Sequence, residues 1–345
     1  MAPVPCKIDE PRTVAFVGLG AMGWGMAATL AKSAAADSTI VASPVLVWNR
    51  TTSRAEAHAA EFGTACAPTL AAVAGADVIV SCLPTSAQVA ECAAALGPRL
   101  RRGGLWVDCT SGEPAATRAI AADLAAFGVR MVDCPVSGGP AGAASGALTA
   151  MVGGDGAGVR AATPIVALFA RKKVVRCGGL GAGHAVKAVN NTLNAAHLAV
   201  AGEGLLALAR LGIAPAAALD AINGSSGMSR QTLERLPREV LPRKFAYGFK
   251  LGLMLKDVRI AVDGVCRGEG ALLPAVKRLL EDAVEGEGGD ADYTRLVRTM
   301  ERAAGVELHD DDAAADGDAA YAAPPFVPGP PAKRPKTTRE SPTPG

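Results

Sequence analysis

Thr13-Val-Ala-Phe-Val-Gly18-Leu-Gly20-Ala-Met-Gly23-Trp24 is the stretch on which the fold turns. Residues 13–17 are short and apolar and read as a buried strand. Gly18, Gly20 and Gly23 follow at GxGxxG spacing, and a helix is expected over residues 24–32. Each glycine has a task in a strand–turn–helix unit. The first makes the tight turn, the second lets backbone approach a pyrophosphate, and the third lets helix and strand pack closely. The helix N-terminus then offers its free N–H groups to the phosphates. The spacing alone is weak evidence. Its place between a strand and a helix makes it a dinucleotide-binding signature.

Working outward, residues 34–44 are Ala- and Ser-rich and read as a surface insertion. Residues 45–48 form the second strand, which runs into Asn49-Arg50-Thr51. An acidic residue here would grip the ribose 2′-hydroxyl of NAD. Asn49 does not repel a 2′-phosphate and Arg50 can pair with one, so NADP is expected, with NAD as the alternative. Strand-like runs recur at residues 77–82, 105–109 and 129–133, with helices at 54–62, 70–74 and 115–127. Such alternation gives a parallel, doubly wound sheet of the Rossmann-like α/β class. Ligands bind beyond the carboxyl ends of its strands, where Leu83, Pro84, Thr110 and Ser111 stand.

Residues 134–146 read as a loop of small residues containing Ser137, Gly138 and Gly139. Its glycines let backbone N–H groups converge on an anion, and Ser137 adds a hydroxyl donor. A strand at 148–153, a helix at 159–169 and a strand at 173–176 hold the loop inside the domain. No GxSxG elbow surrounds Ser137, which argues against a serine hydrolase.

A long helix begins after Gly181 and runs to about residue 211. It is mostly Ala, Val and Leu and should be largely buried, yet Lys187, Asn190, Asn191, Asn194 and His197 recur on it at helical spacing. This polar stripe either faces water or lines a site that uses the lysine's charge or proton. Only helical sequence follows, at residues 215–222, 231–241, 249–265, 274–285 and 293–304. The expected organisation is an extension (1–12), a nucleotide-binding domain (13–180), a helical domain that includes the long helix (181–305), and a tail (306–345) with an acidic run and a Pro-rich basic end.

Composition narrows the class. The 345 residues carry a net charge of +2, with no global pull towards nucleic acid or membrane. No run reads as long and apolar enough to cross a bilayer, and residues 1–11 resemble neither a signal nor a transit peptide. A cytoplasmic location is expected, with the mitochondrion left open. The 8 cysteines form no CxxC pair and no zinc spacing, so free thiols in a reducing compartment are expected.

Together these residues resemble the β-hydroxyacid dehydrogenase family, most closely its 3-hydroxyisobutyrate dehydrogenase branch. The likeness spans residues 14–304 and rests on five separated motifs: residues 18–26, the Leu83-Pro84 turn, the 133–146 loop, the Lys187/Asn191 helix, and Lys256-Asp257. It implies a Rossmann-like domain, a long interdomain helix and a helical domain, assembled as a homodimer or homotetramer. It also implies reversible hydride transfer between a nicotinamide and a small 3-hydroxy acid or its semialdehyde. By resemblance, Lys187 is the catalytic lysine, Asn191 its partner at the substrate, and Ser137, Gly138 and Gly139 the substrate-carboxylate loop. Gly18, Leu19, Gly20, Met22 and Gly23 match the pyrophosphate turn. Leu83, Pro84 and Ser111 match cofactor contacts, with Gln88 a weaker match, and Lys256 a lysine beside the nicotinamide. Asp257 reads as a brace. Cys134 departs from the family's usual small residue, and Asn49-Arg50-Thr51 follows the NADP-using relatives. Imine reductases share the architecture but differ at the position of Lys187. A non-catalytic nuclear scaffold is the rival that the basic tail suggests.

Overall fold

The computed structural model describes residues 11–309. The expected extension and tail therefore lie almost wholly outside the described residues, and so does the basic cluster near Lys333. A nine-stranded sheet organises the first half. In chain order come β1 (Val14–Val17), α1 (Gly23–Ala36), β2 (Leu46–Trp48), α2 (Thr52–Phe62), β3 (Ala65–Cys66), β4 (Val78–Ser81), α3 (Ser86–Leu96), β5 (Leu105–Asp108), α4 (Pro114–Ala126) and β6 (Arg130–Asp133). There follow β7 (Val136–Ser137), α5 (Gly139–Ser145), β8 (Thr149–Gly153), α6 (Gly156–Phe169) and β9 (Lys173–Gly178). The strand order is β3-β2-β1-β4-β5-β6-β8-β7, with β9 on β8. β1 sits in the middle, pairing β2 on one side and β4 on the other.

The parallel sheet expected from sequence holds from β3 to β6 and fails at β8. β8 runs antiparallel to β6 and to β7. The link from β6 is filled by β7 and the seven-residue α5. These cannot carry the chain back across the sheet, so β8 enters from the end where β6 left. The central strands are buried on both faces. Phe16, Val80 and Val107 pack under α1 and α6, and Ile79 and Trp106 under α3 and α4. Burial on both faces is why these strands read as unbroken apolar runs.

Three local expectations are corrected. α1 continues through residues 34–36, and Val41 is buried and bridged to Arg12, so only part of the supposed insertion lies on the surface. Residues 139–145 are helical, started by Pro140 near the helix N-terminus and stopped by a left-handed Gly146. α3 was missed, although Thr85 caps it by accepting from the Gln88 N–H at 3.4 Å.

The second half is built on α7 (Ala182–Arg210), followed by α8 (Pro215–Asn223), α9 (Leu251–Arg259), α10 (Leu272–Glu287) and α11 (Leu296–Ala304). Gln231–Val240 and Ile260–Val265 are wound as π-helix, the first around Pro237, which has no N–H to give. Leu198, Leu205 and Leu206 of α7 join Leu236, Met254 and Tyr293 in this half's core. The early turns of α7 rest on the sheet: a Cβ at Gly183 would stand 2.3 Å from the Met151 carbonyl oxygen. By length and composition α7 does reach the level of a membrane-crossing helix, with mean hydropathy 1.2, contrary to the sequence reading. Its inner face is taken up by the sheet and the helical core.

Candidate active site

The glycine turn between β1 and α1 bears out its spacing. Gly18 has φ +99°, and a Cβ there would lie 2.4 Å from the Cys82 carbonyl oxygen. A Cβ on Gly23 would lie 1.9 Å from the Gly18 carbonyl oxygen, so α1 packs directly on the turn. A Cβ on Gly20 would meet nothing within 4 Å, and that residue is exposed. The outer and inner glycines serve the fold, and the middle one faces open space of the kind a pyrophosphate needs. Leu19 is buried, and Met22 packs half-buried against the sheet core.

The end of β2 is wired into this turn. Asn49 Oδ1 accepts the Leu19 N–H at 3.1 Å, and Asn49 Nδ2 donates to the Thr51 carbonyl at 3.1 Å. The amide therefore holds the turn's backbone, a role that spacing alone did not reveal. Arg50 and Thr51 are exposed beside it. The Arg54 guanidinium lies 5.0 Å above the Trp24 ring and donates to the Leu19 carbonyl. Nothing in the sequence spacing marks Arg54 for this role.

The other strand ends converge next to the turn. The Leu83 N–H donates to Thr110 Oγ1 at 3.1 Å, and Pro84 is exposed. The Ser111 carbonyl accepts from Lys256 Nζ, so the sheet's ligand edge is tied to α9 in the helical half. Gln88 Oε1 is buried without a partner among the described residues.

α7 brings the chemistry to this edge. Lys187 is 9% exposed, Asn191 5% and Asp257 2%. Asn191 Nδ2 donates to Asp257 Oδ2 at 2.6 Å, and Lys256 Nζ lies 2.9 Å from Asp257 Oδ1. Among the described residues no hydrogen bond ties up the Lys187 amine. Burial holds its pKa below the usual 10.5; Asp257 pulls the other way and Lys256 adds to the lowering. The water-facing alternative for the stripe is therefore wrong for Lys187 and Asn191. Asn190 and Asn194 are half-buried, and only His197 turns to the exposed face.

The Ser137–Gly139 loop closes the group. Gly138 and Gly139 take φ +145° and +68°, and Ser137 Oγ has no hydrogen bond among the described residues. Tyr247 reaches this loop from the helical half: its hydroxyl would be 3.2 Å from a Cβ on Gly139. The Arg235 guanidinium stacks 3.7 Å from the centroid of the Tyr247 ring. Neither residue was foreseen. They sit in irregular or π-helical backbone, where periodicity carries no signal.

Known proteins resemble this chain over most of its length. The model of the NAD-binding domain of 6-phosphogluconate dehydrogenase matches residues 13–179, and that of the NAD-binding domain of NADP-dependent 3-hydroxyisobutyrate dehydrogenase matches residues 181–300. A 2-(hydroxymethyl)glutarate dehydrogenase of Eubacterium barkeri is 30% identical over 306 residues, covering 87% of this chain and 99% of the relative. The chain belongs to the β-hydroxyacid dehydrogenase family. It is an NAD(P)-dependent oxidoreductase.

Other members of the family agree. An NAD-dependent L-serine dehydrogenase of Pseudomonas aeruginosa is 32% identical over 271 residues, covering 72% of this chain and 84% of the relative. A solved 3-hydroxyisobutyrate dehydrogenase of Mycobacterium tuberculosis with L-serine superposes with a TM-score of 0.74 at 30% identity, covering 84% of this chain and 99% of that one. Burial, with Asp108 adding to it, pushes the Cys82 thiol up to about 12, and Cys109 and Cys134 are buried beside it. All seven described cysteines are free.

Proposed function

We propose that this enzyme interconverts a small 3-hydroxy acid and its semialdehyde, with Lys187 as general acid–base. The observation that carries this reading is the buried, uncommitted Lys187 amine beside an Asn191 held in place by Asp257. The substrate class follows from what three relatives have in common. 2-(Hydroxymethyl)glutarate, 3-hydroxyisobutyrate and serine each carry a –CH2OH group on the carbon next to a carboxylate.

When bound, the nicotinamide takes up or returns a hydride at its C4. The residues that fit the cofactor are the open Gly20 turn with Leu19, Met22 and their flanking glycines, then Leu83, Pro84, Ser111 and Lys256. In oxidation, Lys187 as free amine takes the hydroxyl proton; in reduction, its ammonium gives that proton back. Burial lowers its pKa, which makes the free amine more accessible than in an ordinary lysine. Asn191 gives one amide proton to Asp257 and keeps the other for the substrate oxygen, while its Oδ1 accepts from Asn190 at 3.2 Å. Ser137 Oγ and the Gly138 and Gly139 N–H groups hold the carboxylate, with the Tyr247 hydroxyl and the Arg235 charge behind them.

NADP is the preferred cofactor in this reading. Arg50 is exposed beside Asn49, which brings no negative charge, and Arg54 stands one helical turn further on. The imine reductase alternative is disfavoured by Lys187, because by resemblance those enzymes carry a different residue at this position. A homo-oligomer is favoured by Val186, Leu193 and Val200, which are 43, 47 and 65% exposed at seven-residue spacing on α7. Free cysteines support the cytoplasm.

The test is a spectrophotometric screen of 2-(hydroxymethyl) acids and their semialdehydes with NADP and with NAD, alongside Lys187→Ala. Turnover of at least one such acid, lost in the variant, is expected. Normal turnover by Lys187→Ala would remove the acid–base assignment.

A further inference from the structure

His184 stands one turn before Lys187 on α7, is 1% exposed, and has no place in the mechanism above. Its surroundings are built with care. The Asp133 carboxylate accepts the Gly181 N–H at 2.7 Å and the His184 N–H at 2.8 Å, so β6 anchors the first turn of α7. His184 Nδ1 lies 2.7 Å from Thr117 Oγ1 on α4. The Thr117 hydroxyl already donates to the Glu113 carbonyl at 2.9 Å, so in the neutral ring Nδ1 is the donor and Nε2 is bare. Among the described residues that bare Nε2 is buried without a hydrogen bond. It faces Asp108 Oδ2 at 3.9 Å, too far for a bond and close enough to be felt.

The ring also lies on the turn that follows β5. A Cβ on Gly112 would be 2.9 Å from His184 Cε1. This turn carries Thr110, which holds Leu83, and Ser111, which receives Lys256. Asp108 itself is fixed by Ser81 Oγ at 2.8 Å and by the Thr110 N–H at 3.1 Å. His184 therefore links the cofactor edge of the sheet to the helix that carries the reactive amine.

We infer that His184, held by Thr117 and facing Asp108, is a positioning residue that sets where Lys187 stands relative to the sheet edge. The inference rests on the reading of Lys187 as acid–base. The charged group facing the imidazole is Asp108 on β5; Asp133 on β6 holds the His184 backbone N–H, and Arg118 on α4 covers Gly181. Those facing Lys187 are Asp257 and Lys256 on α9. Loosening the first turn of α7 changes the distance of the amine from that α9 pair, and so its proton affinity as well as its aim.

The experiment compares His184→Phe, which fills the ring's volume without its nitrogens, with His184→Asn, which can restore the bond to Thr117. Thr117→Val removes the acceptor and leaves the helix sequence alone. Cofactor-binding stoichiometry counts folded sites. Hydrogen exchange over residues 181–187 of the apoprotein reports the first turn directly. In His184→Phe, kcat per folded site is expected to fall about 10- to 100-fold, because small misplacements of a catalytic group cost this much. The midpoint of its pH–rate profile should move and exchange in the first turn should quicken. Thr117→Val should move all three in the same direction, and His184→Asn should recover most of the loss. Wild-type kcat, midpoint and exchange in both His184→Phe and Thr117→Val overturn the inference. Lys187→Ala run in parallel separates the two ideas: if it is dead while His184→Phe is normal, only the positioning role falls.

Discussion

Asn191 Nδ2 donates to Asp257 Oδ2 at 2.6 Å, joining α7 to α9 directly beside the buried Lys187. Asp257, expected only to brace a helix, orients the asparagine and opposes the desolvation of the lysine. Asp257→Asn should therefore lower kcat about 10- to 100-fold, the scale expected when a catalytic group loses its support. It should also shift the acid–base midpoint further down, since Lys256 is then unopposed. A midpoint that stays or rises would show that Asp257 does not act on Lys187.

The lowered pKa of Lys187 predicts opposite pH responses for the two directions. Oxidation needs the free amine, so its rate should rise with pH through a midpoint below 10.5. Reduction needs the ammonium and should fall through the same midpoint. Lys187→Ala should cost about 10²- to 10⁴-fold, the usual range for a general acid–base. Profiles of kcat in both directions check the sign.

Arg50 is exposed and Asn49 is committed to the turn. Arg50→Ala should raise KM for NADPH about 10- to 100-fold, the effect of losing one charge-assisted hydrogen bond of about 1.5–3 kcal/mol. KM for NADH should change little. Equal losses with both cofactors would remove the 2′-phosphate reading.

The exposed apolar line on α7 predicts self-association. Val200 is its most exposed member at 65%, and Val200→Asp should shift the enzyme to smaller species by sedimentation while leaving cofactor binding intact. A wild-type enzyme that is monomeric at all concentrations would end this prediction.

His58 is fully buried between Thr64 Oγ1 at 2.9 Å and the Trp24 carbonyl at 3.1 Å. Burial lowers its pKa from the ordinary 6.5. The unfolded chain binds the proton first, so the stabilising contribution is complete above pH 6.5 and is lost as pH falls towards the lowered value. Melting curves from about pH 5 to about pH 8 should show a steeper acid loss in the wild type than in His58→Gln.

The glycine turn and the Lys187/Asn191 helix were legible because local spacing dictates both. α3 was legible too, through Thr85 and Gln88 at capping-box spacing, and was overlooked. Tyr247, Arg235 and the Asp108–His184 pair were not legible. Their partners lie 67 or more residues away in the cases of Thr117–His184 and Gly139–Tyr247, and only the folded chain brings them together. The reversal at β8 was equally hidden, since alternating strands and helices do not say at which end a strand enters.

Gly18 and Gly23 are locked by backbone a bond length or two away, whereas Gly20 has empty surroundings. Recognition and architecture are thus separable at a single position within one six-residue motif. In the proposed reading, a methyl group added at Gly20 should leave the apoprotein standing yet intrude where the diphosphate is expected to lie. Such a variant is expected to uncouple the chain from its coenzyme without unfolding it, and so to serve as a blank for the kinetic measurements above.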